Sequence, residues 1–397
     1  MERLKILQLC SFEGNIGDVF ITLPYPQLAS EALQADVHIT RAHMRDFYKN
    51  SQKRHFDTAF LREINDHDMF VIGGGLYFDV RWDYSHTGTT LNFSDEFIEG
   101  IKVPVVLNGL GYAEPSNIEE SDAARKQIFA KFERFIRNVS KRRNWFLSVR
   151  NDGSFERIAA RFGQNFAALI QEIPDCGFFF DKDVAPYVFD EQRCTVGFSI
   201  GNDTFTPDET TAAMVRQLND GVARAVQSLV SQGIRVIFFL HMPRDIDAVY
   251  QIMQLVGVEG FRKHVVIAPY NPSGITAAQA IVSYYKACDA VVAMRFHANV
   301  LALQNTIPSI GLVAKGIVSG ERITALYKKM KMDHYTLQTD EADSQFAERL
   351  MDMIAHILSH CEDCIELEAQ AMTRIMQQRN DYCNALREFY DAALETI

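Results

Sequence analysis

The chain has 397 residues, 47% of them hydrophobic, and a formal net charge of -11. That length suits two domains on a prior of roughly 150 residues each. The negative charge argues against nucleic acid or an anionic membrane surface as the main partner, so any cationic site must be local.

No apolar run approaches the roughly 20 residues that a membrane-spanning helix needs. The first ten residues, MERLKILQLC, read as the start of a strand without a secretory cleavage pattern. The expectation is a cytoplasmic protein, with peripheral association at the inner face of a membrane left open. The seven cysteines are scattered, and only Cys361 and Cys364 have metal-like spacing. Without a second pair they suggest neither a disulfide framework nor a zinc site.

Residues 5–10 form a first buried strand, followed by Gly14-Asn15-Ile16-Gly17-Asp18 as a glycine-bearing turn before a helix. Its glycines let backbone amides approach a ligand, but the spacing is not that of a dinucleotide fingerprint. Asp18 reads equally as a helix N-cap or as a crevice-facing general base. Strands follow at 36–40 and 69–72, the second running into Gly73-Gly74-Gly75. Three glycines there mean a sharp turn, or a ligand or neighbouring helix lying against the backbone. Residues 76–97 hold Tyr77, Phe78, Trp82, Tyr84, His86 and Phe93 without clean periodicity. They read as an extended loop whose aromatic surface stacks on sugar rings or packs on itself.

A strand at 103–107, a helix at 121–141 and a strand at 145–149 ending in Arg150 come next. Arg150 is a cation at a strand's carboxyl end, with a surface salt bridge as the plainer reading. Residues 181–193, polar and poor in strand formers, are the expected interdomain linker. The alternation restarts with a strand at 195–200, a helix at 207–232 and a strand at 234–240 ending at His241, with Arg244 and Asp245 close behind. Another strand at 264–268 and a helix at 276–288 lead to residues 287–315. There a short β-type run, Val291 to Met294, precedes Arg295-Phe296-His297 and a helix-forming stretch, and the next strand leads to Lys315. In an open parallel sheet the segment leaving a strand's carboxyl end faces the ligand crevice. Arg295 and His297 therefore sit where an anion would, and strand alternation continued through them would point both the same way. Carbonyl capping by Arg295 and a satisfied half-buried His297 are the plainer alternatives. Residues 344–397 are helical in pattern, with an apolar face that suits core packing.

Two successive strand and helix alternations imply two Rossmann-like, doubly wound α/β domains facing across a cleft, with C-terminal helices. The expected division is 1–182, 194–340 and 341–397, the last a helical segment that could pack back on the first domain.

Taken together, Gly14 to Asp18, the strand and triple glycine at 71–75, Ser148-Val149-Arg150, Gly197-Phe198-Ser199-Ile200 and Met294-Arg295-Phe296-His297-Ala298 resemble the polysaccharide pyruvyl transferase family over residues 4–335. The resemblance implies a glycosyltransferase-B-like arrangement and transfer of pyruvate from phosphoenolpyruvate onto two hydroxyls of a saccharide, polysaccharide or lipid-linked. A cyclic ketal and phosphate result, without metal or cofactor. Where the family has a tyrosine shortly before its lysine, this chain has Leu312-Val313-Ala314. The residue chemistry suits the reaction: phosphoenolpyruvate has a phosphate and a carboxylate close together, and Arg150, Arg295 and Lys315 could hold them. His297 is the candidate for phosphate binding or acid duty, and Asp18 for base. His241, Asn15, Gly74, Gly75 and Trp82 complete the expected substrate contacts, the last three on the acceptor side. The alternatives are a nucleotide-sugar-dependent glycosyltransferase and a non-catalytic saccharide-binding protein on the same fold.

Overall fold

The computed structural model describes residues 3–51, 53–114, 122–180, 183–202, 209–271, 274–314, 318–339 and 345–395. The chain divides into two compact units. Unit 1 is Met1–Phe12, Ile21–Cys176 and Ile375–Ile397; unit 2 is Glu13–Phe20 and Gly177–Arg374.

Unit 1 is built on a parallel sheet of β1 (Arg3–Cys10), β2 (Asp36–His43), β3 (Met69–Gly73), β5 (Val105–Leu110), β7 (Trp145–Arg150) and β8 (Gln171–Ile173). A two-strand ribbon of β4 (Phe78–Asp79) and β6 (Tyr112–Ala113) lies outside it. The order in the sheet is β2-β1-β3-β5-β7-β8, one of the common doubly wound orders, which reverses between β1 and β3. β3 and β5 are buried throughout, as strands covered by helices on both faces must be.

The triple glycine closes β3 for packing reasons. Gly74 takes φ +62, and a Cβ there would strike the Ile21 side chain; a Cβ at Gly75 would strike the Tyr77 ring. The aromatic stretch that follows is mostly core, which favours the reading of rings packed on themselves over that of an aromatic surface. Tyr77, Phe78 and Phe93 are buried. The Ser11 N–H donates to the Tyr77 hydroxyl at 2.7 Å, and Phe93 packs edge-on to Phe56 with ring centroids 4.8 Å apart. Composition does not distinguish rings that face water from rings that fold over their own sheet. Trp82 and Tyr84 stay half-buried, in edge contact at 5.7 Å.

Unit 2 holds β9 (Thr195–Ser199), β10 (Arg235–Phe238), β11 (Val265–Ile267), β12 (Ala290–Ala293), β13 (Ser309–Val313) and β14 (Thr336–Gln338), all parallel. Their order, β11-β10-β9-β12-β13-β14, is the other common doubly wound arrangement, with its reversal between β9 and β12. The helix Glu209–Ser231 lies against the helices Asp245–Val256 and Phe346–Ser359. The last helix, Cys361–Leu394, begins in unit 2 and ends in unit 1. Within unit 1 its Tyr382 hydroxyl donates to Asn108 Oδ1 at 2.6 Å. Among the described residues no helix is long and apolar enough to cross a membrane.

Candidate functional site

Where strand order reverses in a doubly wound sheet, the two adjoining loops diverge and leave room at the carboxyl ends of the strands. In unit 2 those ends are Ser199 and Ala293, which pair directly across β9 and β12. After Ala293, the Met294 N–H donates to the Ser199 carbonyl at 2.8 Å. Arg295 is extended at φ -83, ψ 131 and precedes the wholly buried helix Phe296–Gln304. The strand therefore stops short of Arg295, a correction to the expected alternation through 295–297. Arg295 leaves from the turn, and His297 from the first turn of the helix.

The Arg295 guanidinium is held by Asp245, with Nε to Oδ2 at 3.3 Å and a closer contact from Nη2 to Oδ1. It lies flat against the backbone after β9, since a Cβ at Gly201 would meet its Cζ and Nε at 2.7 Å. Asp245 opens the helix Asp245–Val256 and also accepts the N–H groups of His241 (2.9 Å) and Met242 (3.0 Å). Burial pushes its carboxyl above the ordinary value, opposed by the Arg295 charge and these hydrogen bonds.

His241, fully buried at the end of the β10 segment, shares a 2.7 Å hydrogen bond between Nε2 and the Tyr285 hydroxyl. Tyr285 in turn stacks on Phe239 with centroids 3.8 Å apart. Burial, then the charges of Arg295 and His297, hold the His241 pKa well below the ordinary value, so the ring is neutral near pH 7. It serves as a hydrogen-bonding partner rather than a third cation.

Residues 13–20 belong to this unit. The Ile16 N–H donates to the His241 carbonyl at 2.9 Å, and the Tyr270 hydroxyl donates to the Gly14 carbonyl at 3.4 Å. Asn15 Oδ1 accepts the Gly17 N–H at 2.9 Å, while its carbonyl accepts the Asp18 N–H at 3.0 Å. Asn15 thus starts the helix Ile16–Thr22, and Asp18 sits half-buried in its first turn. Gly17 lies so close to the His297 ring that a Cβ there would collide with Nδ1 and reach 2.9 Å from Cγ. His297 is 9% exposed.

Unit 2 therefore brings together Asn15, Asp18, His241, Arg295 and His297, which lie up to 282 positions apart in sequence (297 − 15). Lys315 lies outside the described residues. Gly74, Gly75, Trp82 and Arg150 belong to unit 1. Arg150 is 1% exposed and donates from Nε to Asp152 at 2.7 Å and from Nη1 to Asp175 at 3.2 Å. Burial alone would lower its pKa, but the two carboxylates outweigh that and raise it. Its charge is matched by the protein's own acids, a buried version of the plainer reading.

Sequence reasoning missed the roles of Asp245, Tyr285 and Gly201. Asp245, four residues beyond a strand-end histidine and opening a helix, carried a readable signal; Tyr285 and Gly201 acquire meaning only through packing. Among the described residues no group of three or more His, Cys, Asp or Glu side chains is placed to hold a metal ion. A hollow of about 450 Å³ lined by Phe189, Glu191, Arg193, Arg235, Lys263 and His264 lies at the amino ends of β9 to β11, the opposite edge of the sheet from Arg295.

A family model described as polysaccharide pyruvyl transferase matches residues 15–315. No curated protein sequence matches the chain. Among solved structures, an Anabaena protein, HepE, in complex with UDP and glucose is similar at 13% identity and TM-score 0.52, covering 99% of this chain and 100% of that one. A putative UDP-N-acetylglucosamine 2-epimerase from Listeria monocytogenes is similar at 10% identity and TM-score 0.52, covering 94% and 95%. A UDP-GlcNAc 2-epimerase from Neisseria meningitidis bound to UDP-GlcNAc gives 9% identity and TM-score 0.51, covering 94% and 99%. At such identities these likenesses speak to the glycosyltransferase-B-like α/β fold alone.

Proposed function

The chain belongs to the polysaccharide pyruvyl transferase family, polysaccharide-modifying enzymes, and on that premise we propose that it moves pyruvate from phosphoenolpyruvate onto two hydroxyls of a saccharide. The observation that carries this reading is the pairing of Arg295 with His297 at the strand-order reversal of unit 2, beside a neutral His241. Phosphoenolpyruvate presents two anionic groups on a small frame, and a fixed guanidinium next to an imidazole suits one of them. Asp245 orients that guanidinium, and Lys315 is the further cation of the set.

In the proposed reaction the methylene carbon C3 takes a proton and C2 becomes electrophilic. One sugar hydroxyl adds to C2 and gives its proton to a base. The bond from C2 to the phosphate oxygen breaks, phosphate departs, and a second hydroxyl closes the ketal with loss of its proton. His297 serves as the acid or as phosphate ligand, and Asp18 as the base. Asn15 shapes the turn that brings Gly17 against His297. Unit 1 carries acceptor contacts at Gly74, Gly75 and Trp82, the first two beside that unit's own strand-order reversal.

The test is phosphate release from phosphoenolpyruvate with a panel of saccharides, free and lipid-linked, without added nucleotide. Release that depends on a saccharide supports the reading. Turnover that strictly requires a nucleotide sugar would replace it with the glycosyltransferase alternative. Thermal stabilisation by phosphoenolpyruvate, by a nucleotide sugar or by neither gives an independent reading of the donor.

A further inference from the structure

The turn that carries Arg295 and His297 is tied down by residues that the proposed reaction does not use. Asn299, buried in the helix Phe296–Gln304, donates through Nδ2 to the carbonyls of Ala293 at 3.1 Å and Arg295 at 2.9 Å. Ala293 ends β12 and Arg295 precedes the helix, so one amide clamps both ends of the strand-to-helix turn. Asn299 Oδ1 accepts from the Tyr327 hydroxyl at 2.9 Å. Tyr327 Oη and Ser309 Oγ are 2.8 Å apart, and Ser309 Oγ lies 3.5 Å from Glu368 Oε1, the longest link. Asn299, Tyr327 and Glu368 are completely buried, and Ser309 is nearly so.

The protons along this chain can be assigned one by one. Tyr327 has a single hydroxyl proton and gives it to Asn299. The proton between Ser309 and Tyr327 then comes from Ser309. Behind Ser309 lies the Glu368 carboxyl, which burial pushes well above the ordinary value, with Ser309 opposing. Such a chain polarises in one direction, and each link fixes the next.

We infer that Ser309, Tyr327 and Asn299 form a directional hydrogen-bond chain, backed by the buried Glu368 carboxyl, that fixes the Arg295–His297 turn, with Asn299 and Tyr327 as positioning residues for the site. The inference rests on the reading of Arg295 and His297 as the donor site. Tyr327 and Glu368 lie beyond residue 315, where the family match ends, so this support comes from the chain's C-terminal segment.

The experiment compares Asn299→Ala, Tyr327→Phe, their double variant, Glu368→Leu and Glu368→Gln in the full-length protein. Three readings are taken: thermal midpoint, saccharide-dependent phosphate release per folded molecule, and the ring resonance of His297 in histidine-labelled protein, assigned by its loss in His297→Gln. Tyr327→Phe and Asn299→Ala are expected to shift the His297 resonance and lower turnover by about 10–100-fold, the cost of small misplacements of reacting groups. The double variant should be no worse than Asn299→Ala, since both act through one clamp. Glu368→Gln, which keeps a hydrogen-bonding oxygen beside Ser309, should restore most of what Glu368→Leu loses. A lowered midpoint with unchanged resonance and turnover overturns the inference, as do losses that simply add. If the wild-type protein releases no phosphate from phosphoenolpyruvate under any condition, the functional reading falls and the His297 resonance alone decides the positioning claim.

Discussion

The His297 ring occupies the space into which a side chain at position 17 would project. Gly17 is in the first turn of a helix, where its backbone would accept alanine, so the constraint is His297 and not conformational strain. Gly17→Ala is expected to push the imidazole off its position, lowering turnover by about 100-fold and stability by about 1–3 kcal/mol. In a His297→Ala background the same alanine finds room and costs little. Equal effects in both backgrounds, read by thermal midpoint and phosphate release, would separate the two residues.

His297 itself gives opposite expectations for chemistry and for packing. As acid or phosphate ligand, its replacement by alanine leaves a folded protein with turnover lower by about two to four orders of magnitude. As a core group alone, it costs about 1–3 kcal/mol of stability while turnover per folded molecule holds. His297→Gln, which keeps hydrogen bonding without comparable acidity, should behave like His297→Ala in turnover.

Arg150 should behave in the reverse manner. Removing its guanidinium takes a cation from the buried Asp152 and Asp175, which for broken buried pairs costs about 3–5 kcal/mol. Arg150→Met is therefore expected to lower the denaturation midpoint sharply while the KM for phosphoenolpyruvate of the remaining folded enzyme stays near wild type. A well-folded variant with a raised donor KM would return Arg150 to the donor site.

Glu368 gives stability a pH signature. Its ordinary carboxyl value is 4.5, and burial raises it well above that in the folded state. Below that ordinary value both states keep the proton. Above it the unfolded chain loses the proton first, so this group's contribution falls by about 1.4 kcal/mol per pH unit until the folded carboxyl also ionises. Glu368→Gln removes the effect. Its stability advantage over wild type, from denaturant melts between pH 4 and pH 8, should grow with pH; a difference independent of pH would refute a raised Glu368 carboxyl.

Trp82 tests the acceptor side of the proposal. Trp82→Ala should raise the KM for saccharide and leave the affinity for phosphoenolpyruvate nearly unchanged. An equal loss of both would remove unit 1's aromatic residues from acceptor recognition.

The site was legible in sequence where chemistry and local pattern coincide. The apolar run before Arg295 and the helix-forming residues after His297 placed both at a strand's carboxyl end, and β12 and the helix Phe296–Gln304 put them there. What was not legible depends on pairing over long separations. Strand order is set by which buried strands meet, so the reversal between β9 and β12 leaves no local trace. Asp152 stands two residues from Arg150, but Asp175 reaches it only through the fold. Asn299 and Tyr327 sit within apolar helical stretches, where a single polar residue reads as incidental until its partner is known.

The last helix carries a consequence for how the protein is made. Tyr382 and Phe389 pack on Phe146, and Arg379 pairs with Glu31. Unit 1 thus combines Met1–Phe12 and Ile21–Cys176 with Ile375–Ile397, and nearly all of unit 2 is synthesised between the last two. On the ribosome the strands of unit 1's sheet emerge before unit 2 is made, so Asn108 and Phe146 wait through its synthesis for Tyr382. A nascent chain stalled within unit 2 lacks these contacts, and truncation before Tyr382 would damage the part of unit 1 that was made first.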